Sequence, residues 1–142
     1  MAQTDALETA LRALRHRDLS AQEVDERLAA RGFSESERAE TIATLGRTGL
    51  LDDVRFAELR AASLAARGAG NALIRHTLGQ AGVAPEVIED AIQTVEPEAE
   101  RARLIVERRG PGPKTGRYLS AKGFSQEVVA GAVAGGSNDE LG

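Results

Sequence analysis

Apolar positions recur along the chain at helical spacing and in a repeating order. Leu7, Ala10, Leu11 and Leu14 follow the i, i+3, i+4, i+7 pattern of a one-sided helix. Phe56, Leu59 and Ser63, and later Ala99, Ala102 and Val106, trace weaker versions of it. Between and after them lie three segments that align without gaps: ERLAARGFSESERAETIATL from Glu26, HTLGQAGVAPEVIEDAIQTV from His76 and RYLSAKGFSQEVVAGAVAGG from Arg117. Leu28, Leu78 and Leu119 precede Gly32, Gly82 and Gly123; Phe33, Val83 and Phe124 follow, and Ile42, Ile92 and Val133 close the pattern. Self-similarity of this kind marks a repeated supersecondary unit.

The Gly column has a backbone reason. A helix that ends on a left-handed residue favours glycine, and the next apolar residue folds back onto the preceding Leu. After it Ser34, Ala84 and Ser125 stand at N-cap positions, Ser34 with Glu37 forms a capping box, and Pro85 suits the first helical position. Val83 with Ile88 and Phe124 with Val129 are available as hydrophobic staples, and Ser20 with Glu23 caps the helix before the first Gly. The pattern predicts helices near 5–16, 21–31, 35–47, 53–67, 72–81, 85–95, 97–109, 114–122 and 126–134. These make an all-α chain of tandem three-helix repeats, 5–49, 50–95 and 96–135, with 136–142 as a flexible tail. Short three-helix units bury little alone, so neighbours should lean on one another in an elongated, curved array.

Composition narrows the chemistry. Of 142 residues 3% are aromatic and none is Trp or Cys, which removes disulfides, thiolate nucleophiles and cysteine zinc sites. With no signal-length apolar run and no long apolar stretch, the chain is expected in the cytoplasm, off the membrane and as a monomer. The net charge of −4 hides an asymmetry: residues 101–125 hold seven bases and one acid, Glu107.

The paired carboxylates of GLLDDVRFAEL read as a helix start. With Asp52 as N-cap, Leu51 and Phe56 stand at staple positions and Asp53 in the first turn, where the helix dipole favours an anion. No further ligands or partner base converge on them, and no metal or cofactor is expected. His16 and His76 fall in different units, the nucleotide-loop, nucleophile-elbow and zinc-protease motifs are absent, and RGAGN follows a helix rather than a strand. No catalytic residues are assigned. The arginines are more informative: Arg67 and Arg75 flank the second inter-helix turn, and Arg101, Arg103, Arg108, Arg109, Lys114, Arg117 and Lys122 surround the third. They read either as a solvated face or as an electrostatic footprint for nucleic acid or an acidic partner. Tyr118 is the one polar aromatic available for stacking, too few for a single-strand reading platform.

GLLDDVRFAE, ARGAGNALIRHTLGQAGV and GRYLSAKGFS, in that order, closely resemble the successive signature blocks of the bacterial RecX family, regulators of the RecA recombinase. The resemblance spans about Ala6 to Gly135. It implies three tandem three-helix repeats and a non-enzymatic protein that binds the RecA–DNA filament, limits its growth, and damps ATP hydrolysis, strand exchange and the co-protease activity behind the SOS response. Asp52, Asp53 and Phe56 match the first block; Arg67, Gly68, Gly70, Ile74, Leu78 and Gly82 the second; Arg117, Leu119, Lys122, Gly123, Phe124 and Ser125 the third. Most of these hold the fold. Arg67, Arg75, Arg101, Arg108, Arg109, Lys114, Arg117 and Lys122 are the expected filament contacts, with at most a weak direct contact to DNA. The middle block departs from the family in having Ala81, where a basic residue is usual before the glycine. The alternative reading is a free-standing helix-turn-helix-like DNA binder.

Overall fold

The computed structural model describes the backbone of residues 2–141 and the side chains of residues 5–134. Over that range the chain forms nine helices and no strand: α1 (Ala2–His16), α2 (Ala21–Ala30), α3 (Glu35–Arg47), α4 (Asp53–Ala66), α5 (Asn71–Gln80), α6 (Pro85–Gln93), α7 (Glu98–Arg109), α8 (Pro113–Ala121) and α9 (Gln126–Leu141). α9 runs past position 134, where the apolar pattern places its end, into the stretch expected as a tail. Gly142 lies outside the described residues, as do the side chains of 135–141.

Local chemistry sets the starts and stops. Ser20 and Ser34 each accept from the N–H three residues on, Glu23 and Glu37, and both glutamates return the bond to the serine N–H. Asp52 Oδ1 accepts from Val54 and Arg55 N–H at 3.0 and 3.1 Å. Gly32, Gly82 and Gly123 end α2, α5 and α8 at φ +87°, +80° and +92°. The following Phe33, Val83 and Phe124 N–H groups bond back to Leu28, Leu78 and Leu119 carbonyls, closing the same turn in each unit.

Helix packing concentrates within three triplets, α1–α3, α4–α6 and α7–α9, each with its own core. The first holds Val24, Leu28, Leu45 and Leu51; the second Phe56, Ile74, Leu78, Ile88 and Ile92; the third Ile105, Leu119, Phe124 and Val129. Leu51 and Phe56, expected as one staple, are buried in different cores, so the link into α4 ties the first unit to the second. The faces of α4 and α7 also differ from the apolar pattern. Leu59 is 52% exposed while Ala57 and Ala61 are fully buried, and Ile105 replaces Ala99 inside. Alanine carries too weak a hydropathy signal to mark a face, yet it allows close helix approach.

Consecutive units meet through turns and helix ends, and the two joints share one design. At the first, Ser20 Oγ donates to Ala81 O at 2.6 Å and Ala21 N–H donates to Asp53 Oδ1 at 2.8 Å. At the second, Gly70 N–H donates to Lys122 O at 2.8 Å and Asn71 N–H to Glu98 Oε2 at 2.7 Å. In both, the N-cap of one unit's second helix rests on the turn after the next unit's second helix. The first residue of the next unit's first helix, Asp53 or Glu98, supplies a carboxylate to the exposed N1 amide. Gly70 is required by contact: a Cβ there would collide with the Gly123 carbonyl. One on Gly123 would stand 2.7 Å from Leu73 N.

Candidate partner interface at the unit joints

The second joint divides the basic residues into those spent on the fold and those left free. Arg101 is only 8% exposed. Its guanidinium donates to Glu96 O at 2.8 Å, to Ala69 O at 2.6 Å and to Asn71 Oδ1, and lies 5.7 Å from the Phe124 ring centre. Burial pulls its pKa below the ordinary arginine value, with the Glu98 charge opposing the shift. Its donors are used inside the joint, so Arg101, expected as a surface contact, belongs to the scaffold. Arg75 is engaged in a two-bond ion pair with Glu89 at 2.7 and 3.0 Å, which raises the arginine pKa and lowers the glutamate's. Arg103 is held by Glu100 and Glu107.

The remaining candidates are exposed or half-buried and, among the described residues, have no acidic partner: Arg67, Arg108, Arg109, Lys114, Arg117 and Lys122. Three of them converge. Arg67, from the turn after α4, faces Arg108 and Arg109, from the last turn of α7, across a cleft of ≈ 340 Å³ that also includes Gly68, Ile105 and Tyr118. The Arg109 guanidinium lies 3.7 Å from the Tyr118 ring centre, a cation–π contact that holds it over the cleft. Gly68 turns the chain at φ +91° beside the cleft, and a Cβ there would only touch the Tyr118 hydroxyl and Lys122 Cε, at 3.5 and 3.7 Å. Lys114 and Arg117 continue the positive surface along α8 outside the cleft lining.

The first joint carries a cleft of ≈ 430 Å³ lined by Arg17, Arg27, Arg60, Phe56 and Thr77, with Glu23 and Glu26 among its walls. A neighbouring recess adds Asp18 beside Arg17 and Arg60. Sequence reasoning did not single out Arg17, Arg60 or the joint carboxylate Glu98; comparing units position by position would have flagged Arg17 as the counterpart of Arg67. Among the described residues there is no group of His, Asp and Glu arranged to hold a metal, and no helix is long and apolar enough to cross a membrane.

Two family models match in the expected order: the first three-helix domain of RecX over residues 6–45 and the second three-helix domain of RecX over residues 52–92. The chain belongs to the RecX family. It is 37% identical to the regulatory protein RecX of Chromohalobacter salexigens over 134 residues, 88% of each chain. It is 33% identical to that of Halorhodospira halophila, over 94% of this chain and 89% of the relative. The crystal structure of RecX from Lactobacillus salivarius superposes with a TM-score of 0.81 at 20% identity, covering 94% of this chain and 95% of that one, and so shares the fold. The chain is thus a member of a family of regulatory proteins built from tandem three-helix domains.

Proposed function

We propose that this protein binds the RecA–DNA filament and restrains it, limiting filament growth and with it ATP hydrolysis, strand exchange and SOS co-protease activity. The observation that carries the reading is the family match over nearly the whole length of RecX relatives, coupled with a set of cations the fold does not consume. The contact set is Arg67, Arg108, Arg109, Lys114, Arg117 and Lys122, gathered at and beyond the second joint. Arg75 and Arg101 are left out of it, because Glu89 and the joint carbonyls already occupy their donors. The three units, 5–49, 50–95 and 96–135, would act as a single monomeric rod in the cytoplasm. A rod of units held at their ends suits a long groove better than a compact domain does.

The test is filament retention. The protein is co-sedimented with recombinase assembled on single-stranded DNA, beside a variant carrying Ala at Arg108, Arg109, Lys114 and Arg117. The parent should pellet with filament and the variant, with unchanged helicity, should lose most of that retention. Equal retention would remove the basic end from the interface.

A further inference from the structure

We infer that the cleft between the second and third units is a seat for the phosphodiester backbone of a nucleic-acid strand. The inference deepens the filament reading, on which its setting rests, by assigning the DNA strand rather than the recombinase surface to this cleft. Two recesses, one at each joint, occupy corresponding positions in one repeated architecture. In the first, the recess lined by Arg17, Arg60 and Ser63, the counterparts of Arg67, Ile105 and Arg108, also holds the carboxylate of Asp18. The position that corresponds to Asp18 in the second unit is Gly68, which carries no charge. The second cleft is left with Arg67, Arg108 and Arg109 and no carboxylate in its lining. The fold accepts an acid in the same recess one unit away, so packing does not require the second to lack one.

The arrangement favours phosphate over a side-chain carboxylate. One guanidinium suffices for a carboxylate, whereas here guanidinium groups from two units face one space, with the Tyr118 ring holding Arg109 in place. The charge also continues as a track. From residue 108 to 126 the chain holds Arg108, Arg109, Lys114, Arg117 and Lys122 and no acid at all. A track of cations with no acid suits a chain of regularly spaced anions better than a single acidic residue. The seat straddles a joint, so a strand lying in it would also bridge the second and third units.

Fluorescence anisotropy of a labelled oligothymidylate tests this with three variants of the full chain: Arg108→Ala/Arg109→Ala, Arg67→Ala from the opposite wall, and Arg17→Ala/Arg60→Ala in the recess that holds Asp18. All four arginines of the double variants and Arg67 lie at the surface or half-buried, and circular dichroism checks that each variant keeps its helicity. Affinity should fall about tenfold in the first variant and several-fold in the second. The third should stay within about twofold of the parent. The slope of log affinity against log salt should be shallower by about 1.4 in the first variant, for two single-strand phosphate contacts. Tyr118 is the chain's only tyrosine and there is no tryptophan, so its emission reads the cleft directly and should be quenched by the strand. Equal affinity of parent and both second-cleft variants would overturn the seat. So would polyglutamate displacing the strand as well as unlabelled oligothymidylate does, since the cleft would then be reading acidic protein surface. A parent that restrains the filament without binding the strand would refute the seat alone; strand binding at the cleft without restraint would refute the filament reading and leave the seat.

Discussion

Asp53 Oδ1 accepts the backbone N–H of Ala21 at 2.8 Å, so the residue that begins α4 also caps α2 of the preceding unit. Its neighbour Asp52 caps α4 itself. Adjacent carboxylates therefore serve different units. Replacing either with Ala should cost about 1 kcal/mol, the usual worth of an N-cap. The two should differ in cooperativity. Asp52→Ala should lower the urea midpoint with an unchanged slope. Asp53→Ala should also broaden the transition, because it loosens the coupling between units that lets them unfold together. Identical slopes for the two variants would mean that the Asp53 bond does not couple the units.

Gly70 and Gly123 face each other across the second joint, and neither has room for a methyl group. Gly32 ends α2 in the same way, yet nothing lies within 4 Å of where its Cβ would be. Gly32→Ala should cost about 1 kcal/mol of backbone strain from its positive φ. Gly70→Ala, with no φ penalty, should cost about 1–3 kcal/mol because backbone must move. Thermal denaturation of the two variants checks the order. A Gly70→Ala protein as stable as the parent would mean the joint is looser than its geometry.

Arg101 and Arg75 give a similar contrast. Arg101→Ala strands the Ala69 and Glu96 carbonyls and opens space beside Phe124; it should cost on the order of 2–3 kcal/mol. Arg75→Ala breaks an ion pair whose side chains are 48% and 51% exposed, which is worth a few tenths of a kcal/mol at most. Chemical unfolding should separate them clearly. Equal losses would place Arg101's contribution at the surface.

The capping box of α3 should give the first unit a pH signature. The Glu37 carboxyl is held below the ordinary glutamate range, first by the Ser34 backbone N–H and then by the Ser34 hydroxyl. A folded-state pKa below the unfolded one stabilises fully above the unfolded value, and that share is lost as pH falls through the folded value. The difference in Tm between the parent and Glu37→Ala should therefore be largest at neutral pH and shrink in acid. A difference that stays constant into acid would show that the charged form contributes nothing special.

The fold was legible because its determinants are local. The Gly column, the serine caps and the staples each act within a few residues, so the repeated blocks carried the helix positions almost unaided. The interface was legible only in part. Arg101 reads as one more surface cation in a basic run, but it sits at the fourth position of α7, where α4 has the buried Phe56, and that mismatch between units was the available signal. Glu98 gave no such sign, because its partner amide at Asn71 lies in another unit. The extension of α9 was hidden for a different reason: GGSNDEL contains residues of poor helix propensity and no apolar face to set a period.

The most direct test of the account is a titration of the protein, well below equimolar, into recombinase hydrolysing ATP on single-stranded DNA. Binding along a filament predicts a progressive fall in ATPase at these low ratios, because one bound molecule restrains many subunits. An ATPase rate that stays unchanged even at excess protein would contradict it.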